Sequence, residues 1–249
     1  MLKVRIIPIL TFNGFGLVKT KQFANPRTVG NPIQAAKVYN SRGVDELVFL
    51  DIFASSQSRK NNLSVIQKIG NECFMPVSVG GGIESIDDIN DLLKIGADKV
   101  VIKSKALSDV NFIKEAVQYF GSQCISISID TFKIEEVYYI KCNQTNLIKL
   151  EDFIQSMNEC QVGEFLVNSV EQDGMMNGFD IELINKVDSI TSIPIVAIGG
   201  GGNLNHFNEL FLNTKIKAVG ASSIFHFTQY TPLDIKNSLK GINIPVRIL

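Results

Sequence analysis

The sequence predicts an α/β fold, a (βα)8 TIM barrel built from two similar half-barrels. Short apolar, β-branched runs alternate with amphipathic segments, and eight such strand–helix units fit a chain of 249 residues. Two of the strands end in a glycine turn, at Met75–Ile83 (M-P-V-S-V-G-G-G-I) and at Ile193–Asn203 (I-P-I-V-A-I-G-G-G-G-N). The two turns lie about half a chain length apart, which indicates an internal duplication. A doubly wound open sheet explains neither the repeat nor the number of units.

The predicted strands are short and apolar on both faces, as in a parallel sheet that is covered on both sides. In chain order they are Val4–Leu10, Leu47–Asp51, Pro76–Val79, Lys99–Ile102, Cys124–Asp130, Glu164–Asn168, Ile195–Ile198 and Ala218–Ala221. A long loop, Thr11–Asn31, is predicted after the first strand. Val137–Cys142 is predicted as an additional strand, in a hairpin on the loop after the fifth strand.

A helix is predicted after each of the eight strands. The ranges are Ile33–Arg42, Leu63–Gly70, Glu84–Ile95, Val110–Phe120, Leu150–Glu159, Ile181–Val187, Phe207–Phe211 and Pro232–Leu239. Pro32 at the start of the first helix and Gly43 after its end are typical boundary residues.

Composition favours one domain spanning residues 1–249, because 45% hydrophobic residues can fill a large core. A net charge of −1, without a basic run or a long apolar stretch, gives no sign of nucleic-acid or membrane binding. The four cysteines, Cys73, Cys124, Cys142 and Cys160, have no C-x-x-C spacing. They predict reduced thiols in a cytoplasmic protein. We expect neither a metal ion nor a cofactor.

In a (βα)8 barrel the functional residues lie at the C-terminal ends of the strands. This rule gathers one set of residues around a common mouth: Thr11, Asp51, Gly80–Gly82, Lys103, Asp130, Asn168, Gly199–Gly202 and Ser222. Two glycine turns facing each other across a pseudo-twofold axis predict a ligand with a phosphate at each end. The simpler alternative is that these glycines serve only as turns.

Several motifs resemble those of a known family, and the likeness runs from end to end. They are R-I-I-P near the start, L-V-F-L-D-I-x-A-S, V-G-G-G-I, F-G-S-Q, D-G-x-x-x-G-x-D and S-I-F-H-F. The chain is similar to the cyclase subunit of imidazole glycerol phosphate synthase. The resemblance implies a glutaminase subunit docked at the N-terminal face of the barrel. It also implies that ammonia passes through the barrel to a bis-phosphorylated ribulosyl substrate at the mouth.

The resemblance implies two catalytic aspartates, one ending the first strand and one ending the fifth. Asp130 matches the second aspartate, whereas Thr11 occupies the place of the first. A hydroxyl cannot replace a carboxylate as a proton shuttle near neutral pH. Three further positions depart from the family, where Lys103, Asn168 and Ile198 replace an asparagine, a threonine and a serine.

Other implied sites are largely retained. The candidate phosphate-binding residues are Gly81, Gly82, Lys103, Ser104, Asp173, Gly174, Gly200, Gly201, Ser222 and Ser223, and Lys19 lies on the substrate loop. The candidate ammonia gate consists of four charged residues that begin or precede strands, Arg5, Glu46, Lys99 and Glu164. An ion-pair ring with a purely structural role is the alternative for these four.

The resemblance and these residues leave three functions open. The first is a true cyclase of histidine biosynthesis. The second, which we favour, is a paralogue that conducts ammonia to the amidation of a nucleotide-linked or surface sugar, together with a sugar amidotransferase. The stretch F-N-G-F-G-L-V-K at Phe12–Lys19 resembles such paralogues, which help to install acetamidino groups. The third is a non-enzymatic subunit that binds phosphate or supports assembly.

Overall fold

A computed structural model describes residues 2–141 and 146–248 of the chain. Its strands are β1 (Arg5–Phe12), β2 (Leu17–Lys21), β3 (Ala24–Gly30), β4 (Leu47–Asp51), β5 (Val77–Gly80), β6 (Lys99–Ile102), β7 (Ile125–Ile134), β8 (Val137–Lys141), β9 (Leu147–Lys149), β10 (Glu164–Ser169), β11 (Ile195–Ile198) and β12 (Ala218–Ala221). Its helices are α1 (Pro32–Ser41), α2 (Leu63–Glu72), α3 (Ile86–Lys94), α4 (Ser104–Ser108), α5 (Val110–Phe120), α6 (Leu150–Cys160), α7 (Ile181–Ile190), α8 (Leu204–Asn213), α9 (Ser223–Phe227) and α10 (Pro232–Gly241). Cys142, the predicted end of the hairpin strand, lies outside the described residues.

The predicted (βα)8 barrel is confirmed by a parallel sheet that closes on itself. Strands β1, β4, β5, β6, β7, β10, β11 and β12 pair in that order. The last strand returns to the first, with Arg5 paired to Ala218 and Pro8 paired to Ala221. Closure gives every barrel strand two neighbours, so its backbone groups are paired and no edge is exposed.

Two apolar layers hold the barrel together. Alternate strand residues point inward and fill the interior; the buried ones are Ile7, Ile9, Val48, Val101, Leu166, Val196 and Ala218. The other strand residues point outward and pack against the helices, as Phe49, Ile127 and Phe165 do. The inner layer therefore separates the two ends of the barrel.

The duplication seen in the sequence is also visible in the backbone of the two glycine turns. Gly81 and Gly200 both adopt a φ of +102°, which side chains rarely allow. A Cβ atom at Gly81 would lie 2.1 Å from Asp51 O, and one at Gly200 would lie 1.9 Å from Gly178 O. Both turns thus need glycine for the same two reasons, conformation and close backbone approach.

The predicted loop Thr11–Asn31 is wrong in part, because it contains the antiparallel hairpin β2–β3. Strand β1 runs two residues beyond the predicted end at Leu10, and Phe12 pairs with Leu17 of β2. Gln22 and Phe23 form the hairpin turn with φ values of +49° and +63°. Turns with positive φ usually contain glycine, asparagine or aspartate, so this turn could not be predicted from the sequence.

Several other boundaries also differ from the prediction. Helices α4 and α9 and strand β9 were not predicted, and α8 exceeds the predicted Phe207–Phe211 at both ends. Strand β7 continues beyond Asp130 to Ile134 and pairs with β8 in the predicted hairpin. No helix formed by the described residues is long and apolar enough to cross a membrane.

The turn at Gly200 gives a stability prediction. Gly200→Ala should lower the free energy of unfolding by at least about 2 kcal/mol. The new Cβ atom would clash with Gly178 O, and alanine would be strained at the positive φ of this residue. Gly241→Ala is the control, since a Cβ there would meet no atom within 4 Å. The control should change stability by less than about 1 kcal/mol. Urea denaturation measures both variants, and equal stability for the two would contradict the strained turn.

Candidate functional site

The C-terminal ends of the barrel strands surround a cavity of about 630 Å³. Most residues predicted for the mouth line it: Thr11, Lys19, Asp51, Gly81, Gly82, Lys103, Ser104, Asp130, Asn168, Asp173, Gly174, Gly199, Gly200, Gly201, Ser222 and Ser223. Gly80 and Gly202, which were also predicted around the mouth, are not among its lining residues. The cavity walls also include apolar side chains such as Ile9, Leu50 and Ile198. The structure therefore brings the predicted residues together in one concave site.

Asp130, at the mouth end of the inward row of β7, has partners on both carboxylate oxygens. Oδ2 forms an ion pair with Lys103 Nζ, and Oδ1 accepts a hydrogen bond of 3.2 Å from Asn168 Nδ2. Lys103 is held from a second side, because its Nζ lies 5.7 Å from the ring centroid of Phe23. The ammonium of Lys103 therefore occupies one side of Oδ2, and a substrate proton would have to approach a remaining lone pair of the carboxylate.

Thr11 lies across the mouth from Asp130, because β1 is four strands away from β7 in the closed barrel, and the family resemblance implies an aspartate at this position. Its Oγ1 donates a hydrogen bond to Val18 O, which ties the end of β1 to the hairpin. The hydroxyl proton is therefore engaged by the backbone. Thr11 supports the hairpin over the mouth and supplies no acid–base group.

The first glycine turn is braced by polar side chains that sequence reasoning missed. Arg59 forms a two-point ion pair with Asp51, with Nη2 2.7 Å from Oδ1. Asn61 Nδ2 donates to Gly81 O, and Gly82 N donates to Ser55 Oγ at 3.3 Å. The Gly82 N–H group therefore already has a partner within the protein. Arg59 and Asn61 lie in a polar stretch without hydrophobic periodicity, so no sequence pattern predicted a role for them at the glycine turn.

The second glycine turn is braced by a histidine. Gly202 N donates to His206 Nδ1 at 3.2 Å, and Asn203 caps helix α8 by accepting from His206 N. The Ser222 hydroxyl oxygen beside this turn is buried without a hydrogen-bond partner in the described part of the chain. The second turn thus offers an unpaired polar atom to a ligand, which is the stronger sign of an anion site.

Two buried charged residues, Lys19 of the hairpin and Asp173, line the cavity. Lys19 is only 6% exposed, and burial lowers its pKa, although the carboxylate of Asp173 opposes this. Burial raises the pKa of Asp173, and Asp130 raises it further while Lys19 opposes the shift. Thr20 Oγ1 also donates to Asp173 Oδ2 at 3.2 Å. The Thr20–Asp173 hydrogen bond therefore joins the hairpin to the mouth, and the opposite charges of Lys19 and Asp173 attract each other across it.

The four predicted gate residues form a closed ring at the opposite end of the barrel. Arg5 contacts Glu46 at 2.7 Å and also pairs with Glu164. Lys99 contacts Glu46 at 3.0 Å and Glu164 at 3.3 Å. Burial alone would lower the pKa of Arg5, but Glu164 and Glu46 outweigh it and raise the pKa. Each charge thus has two partners of opposite sign.

The fold and site define a (βα)8 barrel with a ring of ion-paired charges at one end and a cavity at the other. The chain belongs to the histidine biosynthesis protein family, which matches residues 5–231.

The sequence similarity to known relatives extends along almost the full length of the chain. The chain is 43% identical to the imidazole glycerol phosphate synthase subunit HisF of Staphylococcus aureus strain MRSA252, over 99% of this chain and 100% of that protein. The protein of the same name from Staphylococcus saprophyticus is 42% identical over the same shares of both chains.

His226 reports on the charge of Lys19. Burial lowers the pKa of His226, and the nearby ammonium lowers it further. We expect Lys19→Met to raise the pKa of His226, because removing a positive charge favours the imidazolium. Lys21→Met, which removes an exposed charge of the same hairpin, should leave it unchanged. NMR titration of the imidazole measures both variants, and equal values would show that Lys19 does not act on His226.

Proposed function

We propose that this protein is the barrel subunit of a glutamine amidotransferase complex and conducts ammonia with little or no cyclase activity. A glutaminase subunit would dock at the N-terminal face, as the family resemblance implies. The single observation that carries the proposal is the contrast between the two ends. The charged ring is complete, whereas the mouth has lost one acid–base group and engages the other.

The ring supports transport because its charges satisfy one another around a narrow opening. Glu46 and Glu164 are 3% and 5% exposed, so either would be costly to bury without its partners. A neutral molecule as small as ammonia can pass when one side chain moves aside. The moving side chain would be Lys99 or Arg5, because these are the more exposed members of the ring.

The mouth supports loss of cyclisation. A proton-transfer group typically contributes about 10²–10⁴-fold to a rate, and Thr11 cannot supply one. Asp130 also shares its carboxylate with Lys103 and Asn168, so fewer of its lone pairs are open to a substrate proton. Both catalytic positions are therefore poorly suited to acid–base chemistry, while the cavity itself is retained.

A small phosphorylated ligand remains part of the proposal. The turn at Gly200–Gly201 with Ser222 and Ser223 is the better anion site, because the Ser222 hydroxyl has no described partner. At the opposite turn, Gly81 and Gly82 lie near Lys103, whose ammonium would pair directly with an anion.

The proposed ammonia acceptor is a nucleotide-linked or surface sugar, amidated by an ATP-dependent sugar amidotransferase. The hairpin sequence F-N-G-F-G-L-V-K supports this acceptor through its resemblance to paralogues that work on such sugars. We propose the cytoplasm as the compartment, where the glutaminase and the amidotransferase would meet the barrel.

A true cyclase of histidine biosynthesis is the second candidate. Relatives at 42–44% identity over 99% of this chain bear the name imidazole glycerol phosphate synthase subunit HisF. Asp130 also remains in place. Only activity measurements separate this candidate from the first.

With ammonium and the ribulosyl substrate, we expect turnover roughly 10²–10⁴-fold below that of a family member that keeps both aspartates. Thr11→Asp alone should recover little, because Lys103 still pairs with Asp130. Thr11→Asp combined with Lys103→Asn should recover more, and Thr11→Asn with Lys103→Asn is the control without the carboxylate. Turnover of the wild type at the family level would establish the cyclase and refute our proposal.

Lys99→Ala tests the gate in a complex reconstituted from the barrel, its glutaminase, a sugar amidotransferase and a nucleotide-linked sugar. The variant should fold but lower glutamine-dependent amidation, because Glu46 and Glu164 then share only Arg5. Ammonium-dependent amidation should be unchanged. Lys217→Ala, which removes an exposed charge just before β12, is the control.

Two results would contradict the gate. One is an equal fall of both activities in Lys99→Ala. The other is a wild-type protein that binds no glutaminase, which would favour the assembly subunit.

A further inference from the structure

Strand β7 sends a row of polar side chains into the barrel interior, between the charged ring and the mouth. Ser126 is paired with Glu164 of β10, and Asp130 is paired with Asn168. Because alternate residues of a strand share one face, Ser126, Ser128 and Asp130 all point inward. Ser126 thus lies beside the ring, whereas Ser128 and Asp130 line the mouth cavity.

The hydroxyl of Ser126 has no protein partner in the part of the chain that the structure describes. The residue is 1% exposed, so bulk solvent does not satisfy it. Ser78, the inward serine of β5, differs because its Oγ donates to Glu46 at 2.8 Å. A buried hydroxyl left unpaired costs roughly 1–3 kcal/mol. Ser126 is therefore suited to a small molecule that enters the barrel.

A second unpaired polar atom lies beside the mouth end of this row, on the neighbouring strand β10. Asn168 Oδ1 is buried without a partner among the described residues. The amide orientation is fixed, because Nδ2 donates to Asp130 Oδ1. The row thus begins with a free hydroxyl and ends beside a free acceptor. Ammonia fits both, since it accepts one hydrogen bond and donates three.

The surroundings of the row select against ions. Six inward neighbours are fully apolar: Ile7, Val48, Val101, Leu166, Val196 and Ala218. An ammonium ion would lose its hydration among them at a high cost, whereas a neutral molecule loses far less. The apolar surroundings therefore favour a neutral molecule, such as ammonia or water, over an ammonium ion.

We propose that Ser126 binds ammonia just inside the ring, and that Ser128 and Asn168 guide it to the mouth. This inference rests on the proposed function, because only an ammonia-conducting barrel would use the row in that way. Water offers the same hydrogen-bonding chemistry, so the experiment has one part that detects the site and another that identifies what passes through it.

Crystal structures of the wild type, Ser126→Thr and Ser126→Val test the site with water and ammonium sulfate as the probes. Threonine and valine have the same shape, but only threonine keeps the hydroxyl. We expect density for one small molecule within hydrogen-bond distance of the hydroxyl in the wild type and Ser126→Thr, but not in Ser126→Val. A wild-type interior without that density would overturn the site.

Transfer of nitrogen tests the role in the reconstituted complex, with ¹⁵N-amide-labelled glutamine as the source and unlabelled ammonium in the comparison reaction. Losing one hydrogen bond should lower glutamine-dependent amidation about fivefold in Ser126→Val. Ser126→Thr should stay within about twofold of the wild type, and ammonium-dependent amidation should not change. Ser126→Ala also lacks the hydroxyl and adds no volume. If Ser126→Val does not fold, Ser126→Ala takes its place and should show the same fivefold loss of glutamine-dependent amidation.

The possible failures are distinguishable. Normal transfer of label in Ser126→Val and Ser126→Ala would overturn the role of Ser126 while leaving the proposed function intact. A wild-type complex that transfers no label from glutamine would refute the proposed function and the ammonia role together. The crystal structures would still decide whether Ser126 holds a small molecule.

Discussion

Closure of the parallel sheet between β12 and β1 is the constraint on which the rest of this molecule depends. Once Arg5 pairs with Ala218, each barrel strand has a fixed neighbour on both sides. Register then determines which side chains face the interior and at what height. The charged ring, the apolar layer and the mouth therefore follow one another along the barrel axis, from the N-terminal to the C-terminal ends of the strands. A slip of one residue in any strand would turn its inward residues out toward the helices.

The same closure explains why the gate residues meet although they are far apart in the sequence. Arg5, Lys99 and Glu164 each begin a barrel strand, and Glu46 directly precedes one. The N-terminal ends of all parallel strands lie at one end of the barrel, so four charges of alternating sign converge there. Their placement at this end could be predicted from their positions at or before strands, and the family resemblance singled out these four charges.

The mouth was harder to predict, because its contacts come from loops. The glycine turns could be recognised from their runs of consecutive glycines. The shared φ of +102° at Gly81 and Gly200 agrees with the internal duplication. The hairpin β2–β3 was missed, since Gln22 and Phe23 adopt positive φ without the usual turn residues. Arg59 and the ion pair of Lys103 with Asp130 depend on side-chain conformations across neighbouring loops. No periodicity in a single sequence encodes such contacts.

The two ends of the barrel are able to change independently, and this separation underlies the proposed function. Between them lies a buried apolar layer, built from inward residues such as Val48 and Leu166. Substitutions at the mouth, such as Thr11 or Lys103, make no contact with the ring. A barrel can therefore lose acid–base chemistry at one end without disturbing charges at the other. Under the proposed function, the polar row that includes Ser126 would offer hydrogen-bonding groups to a molecule that enters at the ring.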